Sequence, residues 1–331
     1  MKHSEYQNKI GVLLTNLGTP DSPSRKDVKR YLGEFLWDPR VVELPRVLWW
    51  PILHGVILTT RPSRSAKAYQ KIWETEGSPL LINTLKQADK LQKAMGEDVA
   101  VVPAMRYGSP SIKQGLEQLR DRGCQRILLF PLYPQYSATT TASTFDAVVD
   151  ELKSWRQIPE LRLLNQYYDN PAYIQALANS IRAFQKEHGQ PEMLVLSYHG
   201  LPQRYVDAGD PYAIQCESTS KALVKELQLD DDQWRHSYQS RIGRDPWLQP
   251  ATSDSLEQLA ASGTKNVQIV CPGFSSDCLE TLEEIAMENR HVFLAAGGEE
   301  YRYIPCLNDS GEHIQMMAQL TRRYLGGWLD D

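Results

Sequence analysis

The stretch that decides the fold is Met193-Leu-Val-Leu-Ser-Tyr198, which runs directly into His199-Gly-Leu-Pro202. Such a short apolar run, bounded by turn-forming residues, is typical of a buried strand in a parallel sheet. Gly200 and Pro202 prevent a helix from beginning at once, so the run ends in a loop. The imidazole of His199 is therefore expected at the carboxyl end of a strand, where open α/β sheets bind ligands. A lone histidine is more often an ordinary surface or core residue, so this assignment depends on the rest of the chain.

Short apolar runs alternate with helix-patterned segments, and this alternation predicts an α/β protein with doubly wound parallel sheets flanked by helices. The pattern occurs twice, once on each side of a crossover at Arg156–Glu160. The predicted strands are Ile10–Asn16, Val99–Ala104, Arg126–Leu132, Leu161–Leu164, Met193–Ser197 and Val267–Cys271. The predicted helices are Ser111–Arg122, Ala172–His188, Pro211–Leu227, Asp254–Ser262 and Glu312–Leu325.

Composition disfavours several classes of function. The 331 residues carry a net charge of −5, which gives no reason to expect a nucleic-acid partner. The first strand is followed by Gly18-Thr-Pro20, which lacks the spacing of a phosphate-binding loop, so a nucleotide or dinucleotide enzyme is disfavoured. The five cysteines form no Cys-x-x-Cys pair, which argues against a zinc site or a disulfide framework. The run Ile10–Thr15 is too short for a signal-peptide core, so a cytoplasmic protein is expected.

Five stretches form a distinctive set of motifs. The first is Ser197-Tyr-His-Gly-Leu-Pro-Gln-Arg-Tyr205, followed by Gly209-Asp-Pro-Tyr212 and Cys216. The others are Leu14-Thr-Asn-Leu-Gly-Thr-Pro20, Phe130-Pro-Leu-Tyr-Pro-Gln-Tyr136, Gln239-Ser-Arg-Ile-Gly-Arg-Asp-Pro-Trp247 and Cys271-Pro-Gly-Phe-Ser-Ser-Asp-Cys-Leu-Glu-Thr-Leu-Glu283. Together, in this order, they resemble the ferrochelatase family, whose members insert ferrous iron into a porphyrin. The resemblance covers essentially the whole chain.

The resemblance implies a chelatase-like fold of two similar Rossmann-like domains, with the active site in the cleft between them. Residues 1–157 would form the first domain, completed by a C-terminal helix in 308–331, and residues 158–307 the second. The implied function is insertion of Fe²⁺ into protoporphyrin IX to give protohaem, the last step of haem biosynthesis. Two alternatives stay open: a non-catalytic protein that binds a metal or a tetrapyrrole, and a chelatase for another metal or tetrapyrrole.

The chemistry of metal insertion explains why a histidine and a carboxylate would be needed. Two pyrrole protons must leave as the ion enters, and the flat ring must bend in an apolar slot before its nitrogens can be reached. Neutral histidine suits the roles of base and ligand at cytoplasmic pH. The family pattern places the glutamate of Leu279-Glu-Thr-Leu282 opposite the signature histidine. Glu280 and His199 are therefore the predicted catalytic residues and metal ligands.

Two further acids, Asp277 and Glu284, fall at positions implied to extend an acidic path for metal or protons. At α-helical spacing they share an arc of roughly 60° with Glu280. A structural explanation is also open, because Asp277 and Glu280 have the spacing of a capping box. Cys278 stands where many relatives have a histidine, which puts histidine-assisted metal delivery in doubt, although a thiol could replace it. The helix is expected to bury an apolar stripe at Leu279, Leu282, Ile285 and Ala286.

A porphyrin slot requires aromatic walls and a rim of cations and hydroxyls for the propionates. The resemblance makes Trp247 a wall residue, and Tyr133 and Tyr136 follow a strand end. At the rim, the resemblance implies Arg61, Tyr69, Ser78 and Arg106. Leu17 stands where relatives that act on coproporphyrin tend to carry tyrosine. Protoporphyrin IX is therefore the expected substrate, because burying two extra carboxylates against leucine would be unfavourable.

No permanently bound cofactor is expected. Some ferrochelatases hold an iron–sulfur cluster through cysteines near the carboxyl end and one after the Pro-Gln-Tyr segment. Here no cysteine follows Cys306, and Ala138 follows Tyr136-Ser137. A [2Fe–2S] cluster is therefore not expected. A monomer is expected, with a dimer left open.

The stretch Val47–Leu58 is rich in aromatic and aliphatic residues and has basic residues on both sides. One interpretation is a buried helix that is broken at Pro51. The other, of equal weight, is an amphipathic lip of the porphyrin slot that rests on the inner face of the cytoplasmic membrane, with Trp49 and Trp50 at headgroup depth. The stretch is too short to span a bilayer.

Overall fold

The computed structural model describes residues 9–241, 243 and 245–329. Ile242 and Arg244, within the Gln239–Trp247 motif, lie outside this description. The chain forms two compact units. The first contains residues 9–132, 138–165 and 309–329, and the second contains 133–137 and 166–308. Each unit is a parallel sheet flanked by helices, which confirms the predicted fold class.

The sheet of the first unit has four parallel strands in the order β2-β1-β3-β4. They are β1 (Lys9–Thr19), β2 (Val99–Gly108), β3 (Cys124–Pro131) and β4 (Glu160–Leu163). The helices of this unit are α1 (Arg25–Trp37), α2 (Arg46–Ile52), π1 (Leu53–Ile57), α3 (Leu58–Ile72), α4 (Pro79–Met95), α5 (Ile112–Asp121), π2 (Ala138–Ala142), α6 (Ser143–Leu152) and α12 (Gly311–Tyr324). Helix α12 packs against α4.

The sheet of the second unit repeats this topology in the order β6-β5-β7-β8. Its strands are β5 (Met193–His199), β6 (Trp234–Gln239), β7 (Asn266–Val270) and β8 (Glu300–Tyr303). Its helices are α7 (Pro171–His188), α8 (Gln203–Asp207), α9 (Tyr212–Leu227), α10 (Thr252–Ala261), π3 (Glu280–Asn289) and α11 (Arg290–Ala295). Because β5 is a central strand, its residues Met193–Tyr198 are buried, as the apolar run predicts.

The six predicted strands are all present, and β6 and β8 are additional. Both are edge strands with mixed polar sequences, Trp-Arg-His-Ser-Tyr-Gln and Glu-Tyr-Arg-Tyr, so neither gives an apolar run. Strand β4 pairs with β3 in the first sheet, whereas the predicted domain boundary at 157/158 assigned it to the second domain. A four-residue strand next to a proposed crossover gives no sequence signal for the sheet it joins.

Helix α2 includes Pro51 and continues directly into π1 and α3, so the prediction of a helix broken at Pro51 is wrong. Proline removes one backbone donor, and here the irregularity appears as the π-helical turn that follows. In the part of the chain that the structure describes, no helix is long and apolar enough to cross a membrane.

Candidate active site

His199 is the last residue of β5, which confirms its predicted position at a strand end. It lies in register with Gln239, the last residue of β6. The imidazole is partly exposed and meets the ring of Phe274 edge-on, with 6.3 Å between the ring centroids. A side chain at the end of a rigid central strand has a well-defined position, and this suits a group that must act on a fixed atom.

The loop after His199 is held against the Asp-Pro-Trp segment. The Leu248 amide donates to the Leu201 carbonyl at 2.9 Å, and Trp247 bridges to Pro202. A Cβ on Gly200 would lie 2.8 Å from the Gln239 carbonyl oxygen and 3.2 Å from the Trp247 ring. Glycine at this position therefore lets the indole pack beside the residue that follows His199.

Burial lowers the pKa of His199 below its usual value, and the nearby Glu280 carboxylate opposes this shift. The imidazole is therefore neutral at pH 7, with a nitrogen lone pair for a proton or a metal ion. Its protonated form would be stabilised by the same carboxylate.

Glu280 is the first residue of π3, which begins shortly after the strand β7 ends. The Cys278 thiol donates a hydrogen bond to the Glu280 side chain, and burial raises the pKa of this thiol well above its usual value. Of the predicted apolar stripe only Ile285 is buried, whereas Leu279, Leu282 and Ala286 are partly exposed. The element is a π-helix, and its other buried residues are Thr281, Glu283 and Asn289. Hydrogen bonds from i to i+5 widen the turn and shift which residues face the core.

Glu284 lies one turn beyond Glu280 and is held by Ser240. The Ser240 amide donates to one carboxylate oxygen at 2.6 Å, and the Ser240 hydroxyl donates to the other. Burial raises the pKa of Glu284 to about 7, and the charges of Glu280 and Glu288 add to the rise, while the Ser240 hydrogen bonds oppose it. At neutral pH this carboxyl therefore exchanges readily between its protonated and ionised forms.

Asp277 is buried, and both of its carboxylate oxygens are engaged. One accepts from the hydroxyls of Tyr303 and Thr281, and the other accepts from the Asn308 amide at 2.7 Å. The Asp277 backbone amide donates to the Asn308 side chain at 2.8 Å. Asp277 thus ties the segment before π3 to the chain that follows β8. These contacts indicate a structural role, and the predicted role in an acidic path stays a prediction.

Two predicted porphyrin contacts, Trp247 and Tyr133, belong to the same unit as His199. Both side chains are partly buried. Among the described residues, no hydrogen-bond partner is found for the buried indole nitrogen of Trp247. The segment that carries Tyr133 is fixed to α9, because Gln135 donates to Thr219 at 2.9 Å and the Tyr136 amide donates to Gln215 at 2.7 Å.

The other predicted porphyrin contacts, Leu17, Arg61, Tyr69, Ser78 and Arg106, belong to the first unit. Leu17 and Arg61 are partly exposed, Tyr69 is buried in edge-on contact with Tyr31, and Ser78 is buried just before α4.

Arg106 already has a carboxylate partner. Its guanidinium binds the buried Asp38 carboxylate and donates to the Ser143 hydroxyl at 2.7 Å. The Asp38 carboxylate also accepts from the hydroxyls of Ser143 at 2.6 Å and Tyr107 at 2.8 Å. Burial raises the pKa of Asp38, but the hydrogen bonds from Ser143, the Arg40 amide and Tyr107, together with the Arg106 charge, hold it below its usual value. Arg106 is thus fixed in place by a cluster that the sequence did not predict, since Asp38 lies outside every motif.

Sequence reasoning also missed Gln239 and Ser240 as contacts of the acidic helix. Both lie at the start of the Gln239–Trp247 motif, where β6 ends. A prediction of β6 would have placed them at the same sheet edge as His199. Within residues 9–241, 243 and 245–329, no three His, Cys, Asp or Glu side chains converge as a metal-binding group.

The fold defines the class of protein. SirB from Bacillus subtilis with Fe³⁺ has a TM-score of 0.56 at 12% identity, over 96% of this chain and 95% of that chain. The sirohydrochlorin chelatase SirB from Bacillus subtilis subspecies spizizenii in complex with cobalt has a TM-score of 0.52 at 11% identity, over 95% and 93% of the two chains. At this identity the likeness concerns the fold, which is that of the chelatases.

Sequence comparison is more specific. The ferrochelatase family model matches residues 9–325. A ferrochelatase of Methylococcus capsulatus is 55% identical over 317 residues, which is 96% of this chain and 97% of the relative. A ferrochelatase of Marinobacter nauticus is 51% identical over 331 residues, 99% of this chain and 89% of the relative. The chain belongs to the ferrochelatase family, which confirms the resemblance. It is an enzyme of haem biosynthesis, and ferrous iron and a porphyrin are its substrates.

Proposed function

We propose that the chain inserts Fe²⁺ into protoporphyrin IX with His199 as proton acceptor and metal ligand and with Glu280 as the opposing carboxylate. The observation that carries this proposal is a neutral, partly buried histidine at a central strand end, with a carboxylate near enough to affect its pKa. A neutral imidazole can take a pyrrole proton, and the Glu280 carboxylate stabilises the imidazolium that results. Glu280 can also bind the dication before it reaches the ring nitrogens.

Glu284 is proposed to carry protons between this pair and solvent. A carboxyl with a pKa of about 7 can accept and release a proton at cytoplasmic pH at little free-energy cost. The two hydrogen bonds from Ser240 hold it in one orientation, so proton transfer would need no large side-chain movement. Asp277, whose oxygens are occupied, would keep π3 in place.

The porphyrin is proposed to be protoporphyrin IX, with Trp247, Tyr133 and Leu17 as candidate apolar contacts. Partly exposed apolar side chains can bind the ring faces and favour a bent macrocycle. Arg61, Tyr69, Ser78 and Arg106 stay candidates for the propionates. The Arg106 guanidinium stays cationic, but the Asp38 carboxylate already neutralises part of its charge, so Arg106 would attract a propionate less strongly than an unpaired guanidinium.

The decisive experiment replaces His199 by Ala and measures metallation from the loss of porphyrin fluorescence, with Fe²⁺ under anaerobic conditions. Turnover should fall by at least about 100-fold, in the range expected for loss of a general base. Porphyrin binding and Tm should change little, because the residue ends its strand. His291→Ala, at an exposed histidine on α11, is the matched control and should keep full activity. Near-normal turnover in the His199 variant would contradict the proposal.

The stretch Val47–Leu58 is proposed to contact the inner face of the cytoplasmic membrane as a peripheral lip of a monomeric enzyme. Three neighbouring apolar side chains support this: Val47 is 85% exposed, Leu48 61% and Trp50 56%. Exposed Arg64 and Lys67 follow on α3 and could meet anionic headgroups. Attachment should be weak, because one short lip buries little area.

Trp49 does not share this exposure. It is only 7% exposed, and its indole nitrogen donates to the Leu36 carbonyl at 2.7 Å, so it is a core residue. The test therefore separates the two tryptophans. Trp50→Ser should reduce binding to anionic vesicles and raise KM for porphyrin supplied in lipid, with Tm unchanged. Trp49→Ser should lower Tm instead. Vesicle binding that survives in a Leu48→Ser, Trp50→Ser double variant would exclude the lip.

A further inference from the structure

Gln239 contacts both sides of the proposed catalytic pair and is itself 3% exposed. Its carbonyl oxygen accepts from the Gly200 amide at 2.8 Å, directly after His199. Its side-chain oxygen accepts from the Ser197 hydroxyl at 3.0 Å, two residues before His199. Its side-chain amide nitrogen donates to the Glu280 carbonyl at 3.0 Å. One buried residue thus connects the strand end that carries His199 with the first residue of π3.

These contacts can fix the distance between β5 and π3 because the Gln239 side chain is buried and each of its hydrogen bonds has a definite partner. A buried amide that loses a partner leaves an unsatisfied polar group, which penalises any movement of π3 away from β5. The neighbouring Ser240 has a φ of 68°, a backbone conformation that is uncommon for a residue other than glycine, and it binds the Glu284 carboxylate. Gln239 therefore binds the backbone carbonyl of Glu280, and the next residue, Ser240, binds the side-chain carboxylate of Glu284.

We propose that Gln239 is a positioning residue for metal insertion, which keeps His199 and Glu280 at the separation that proton removal and metal transfer require. The inference rests on the proposed roles of those two residues. Gln239 does not touch the reacting atoms, and it acts through the Ser197–Gly200 segment and the backbone of Glu280. A misplacement of about 1 Å between reacting groups can reduce a rate by roughly 100-fold, so loss of this connection should affect kcat much more than substrate binding.

The test compares Gln239→Leu and Gln239→Glu with Gln268→Leu. Leucine removes all three side-chain hydrogen bonds, including one that the Cys271 thiol donates at 3.5 Å. Glutamate keeps the size and an acceptor but replaces the donor that faces the Glu280 carbonyl. Gln268 is a matched control: it is 1% exposed, lies on β7 of the same sheet and donates to the Gly189 carbonyl at 2.8 Å. It is in register with Leu194, five residues before His199 and thus roughly 16 Å along the strand.

The measurements are kcat, KM for protoporphyrin, metal-free porphyrin binding by fluorescence, and Tm. For both Gln239 variants we expect kcat to fall roughly 10- to 100-fold with KM and porphyrin affinity within about twofold. Gln268→Leu should lower Tm at least as much while kcat stays within about twofold. If Gln239→Leu does not fold, the kcat values of Gln239→Glu and Ser197→Ala test the positioning role in its place. A kcat within twofold of wild type in the folded Gln239 variants overturns the inference, as does an equal loss of kcat in Gln268→Leu.

Failure of this inference is distinguishable from failure of the proposed function. If His199→Ala is inactive and the Gln239 variants are normal, the catalytic pair stands and only the positioning role is lost. If His199→Ala is active, the proposed function itself fails, whatever Gln239 does.

Discussion

Glu284 is a half-buried glutamate with a pKa of about 7, so it must make the stability of the protein depend on pH, and this dependence can be measured. Glu284→Gln removes the ionisable group and keeps its size. The glutamine oxygen can still accept one of the two hydrogen bonds that Ser240 donates. The lost hydrogen bond lowers stability by a similar amount at every pH, so the informative quantity is how the difference between variant and wild type changes with pH.

The direction in which stability changes with pH follows from the raised pKa of Glu284. In the unfolded chain the carboxyl ionises near its ordinary pKa of 4.5, whereas in the folded protein it stays protonated up to about 7. Between these values the folded state binds more protons, so this group's contribution to stability is fully present below 4.5 and is lost as pH rises to 7. The two pKa values differ by about 2.5 units, and each unit corresponds to about 1.4 kcal/mol, so the loss is at most about 3 to 4 kcal/mol. With an unfolding entropy of about 2.1 cal/mol/K per residue, this loss equals about 5 °C in Tm if the whole chain unfolds together.

The assay is calorimetric Tm at intervals from pH 4.5 to 8 for wild type, Glu284→Gln and Glu257→Gln, a control at an exposed glutamate of α10. The Tm of Glu284→Gln relative to wild type should rise by about 5 °C across this range. The control difference should stay flat. A flat difference for Glu284→Gln as well would refute the reasoning, because it would mean that the carboxyl has the same pKa in the folded and unfolded states.

Three further predictions concern the substrate, the loop and the cofactor. Leu17→Tyr should raise kcat/KM for coproporphyrin relative to protoporphyrin by about tenfold, measured with both substrates in parallel; an unchanged ratio would remove Leu17 as a specificity residue. Gly200→Ala should lower both Tm and turnover, because its Cβ would lie 2.8 Å from the Gln239 carbonyl oxygen, whereas Gly311→Ala, with no atom within 4 Å, should do neither. Anaerobically purified protein should show no [2Fe–2S] absorbance, and such a band would contradict the expectation drawn from the missing cysteines.

The position of His199 could be predicted from sequence because its signal is local. An apolar run that ends on a glycine and a proline defines a strand and its end within ten residues, and parallel sheets place such ends where ligands bind. The roles of Glu280 and the porphyrin contacts came only from the family motifs. Spacing alone gave Glu280 an equally good explanation as part of a capping box.

The rest of the site could not be predicted because it depends on partners far apart in sequence. Asp38 meets Arg106 across 68 residues, and Asp277 meets Asn308 across 31, and neither pair has a shared pattern in the chain. The π-helical form of Glu280–Asn289 was missed for a different reason. Apolar periodicity is normally interpreted with 3.6 residues per turn. Applied to a π-helix, whose turn is wider, this interpretation assigns the buried face to the wrong side chains.

The ionisation of the site fits the charge balance of the reaction. One Fe²⁺ enters and two protons leave, so the ring exchanges equal charge, but the protein must hold the dication on arrival and the protons on departure. With His199 and Glu284 both able to be neutral near pH 7, the buried wall carries little net charge before the metal arrives, which limits the desolvation cost of two carboxylates one turn apart. On the proposed roles, a dication held at Glu280 would lower the pKa of Glu284, and the carboxyl would release its proton to solvent. Once the ion has moved into the ring, the pKa of Glu284 would rise again, so the carboxylate could accept a proton taken from the ring and pass it to solvent. A permanently ionised pair would bind the metal more tightly but would leave no neutral state to which the site could return. If Glu284 carries protons as proposed, its raised pKa contributes to turnover and is more than a consequence of burial.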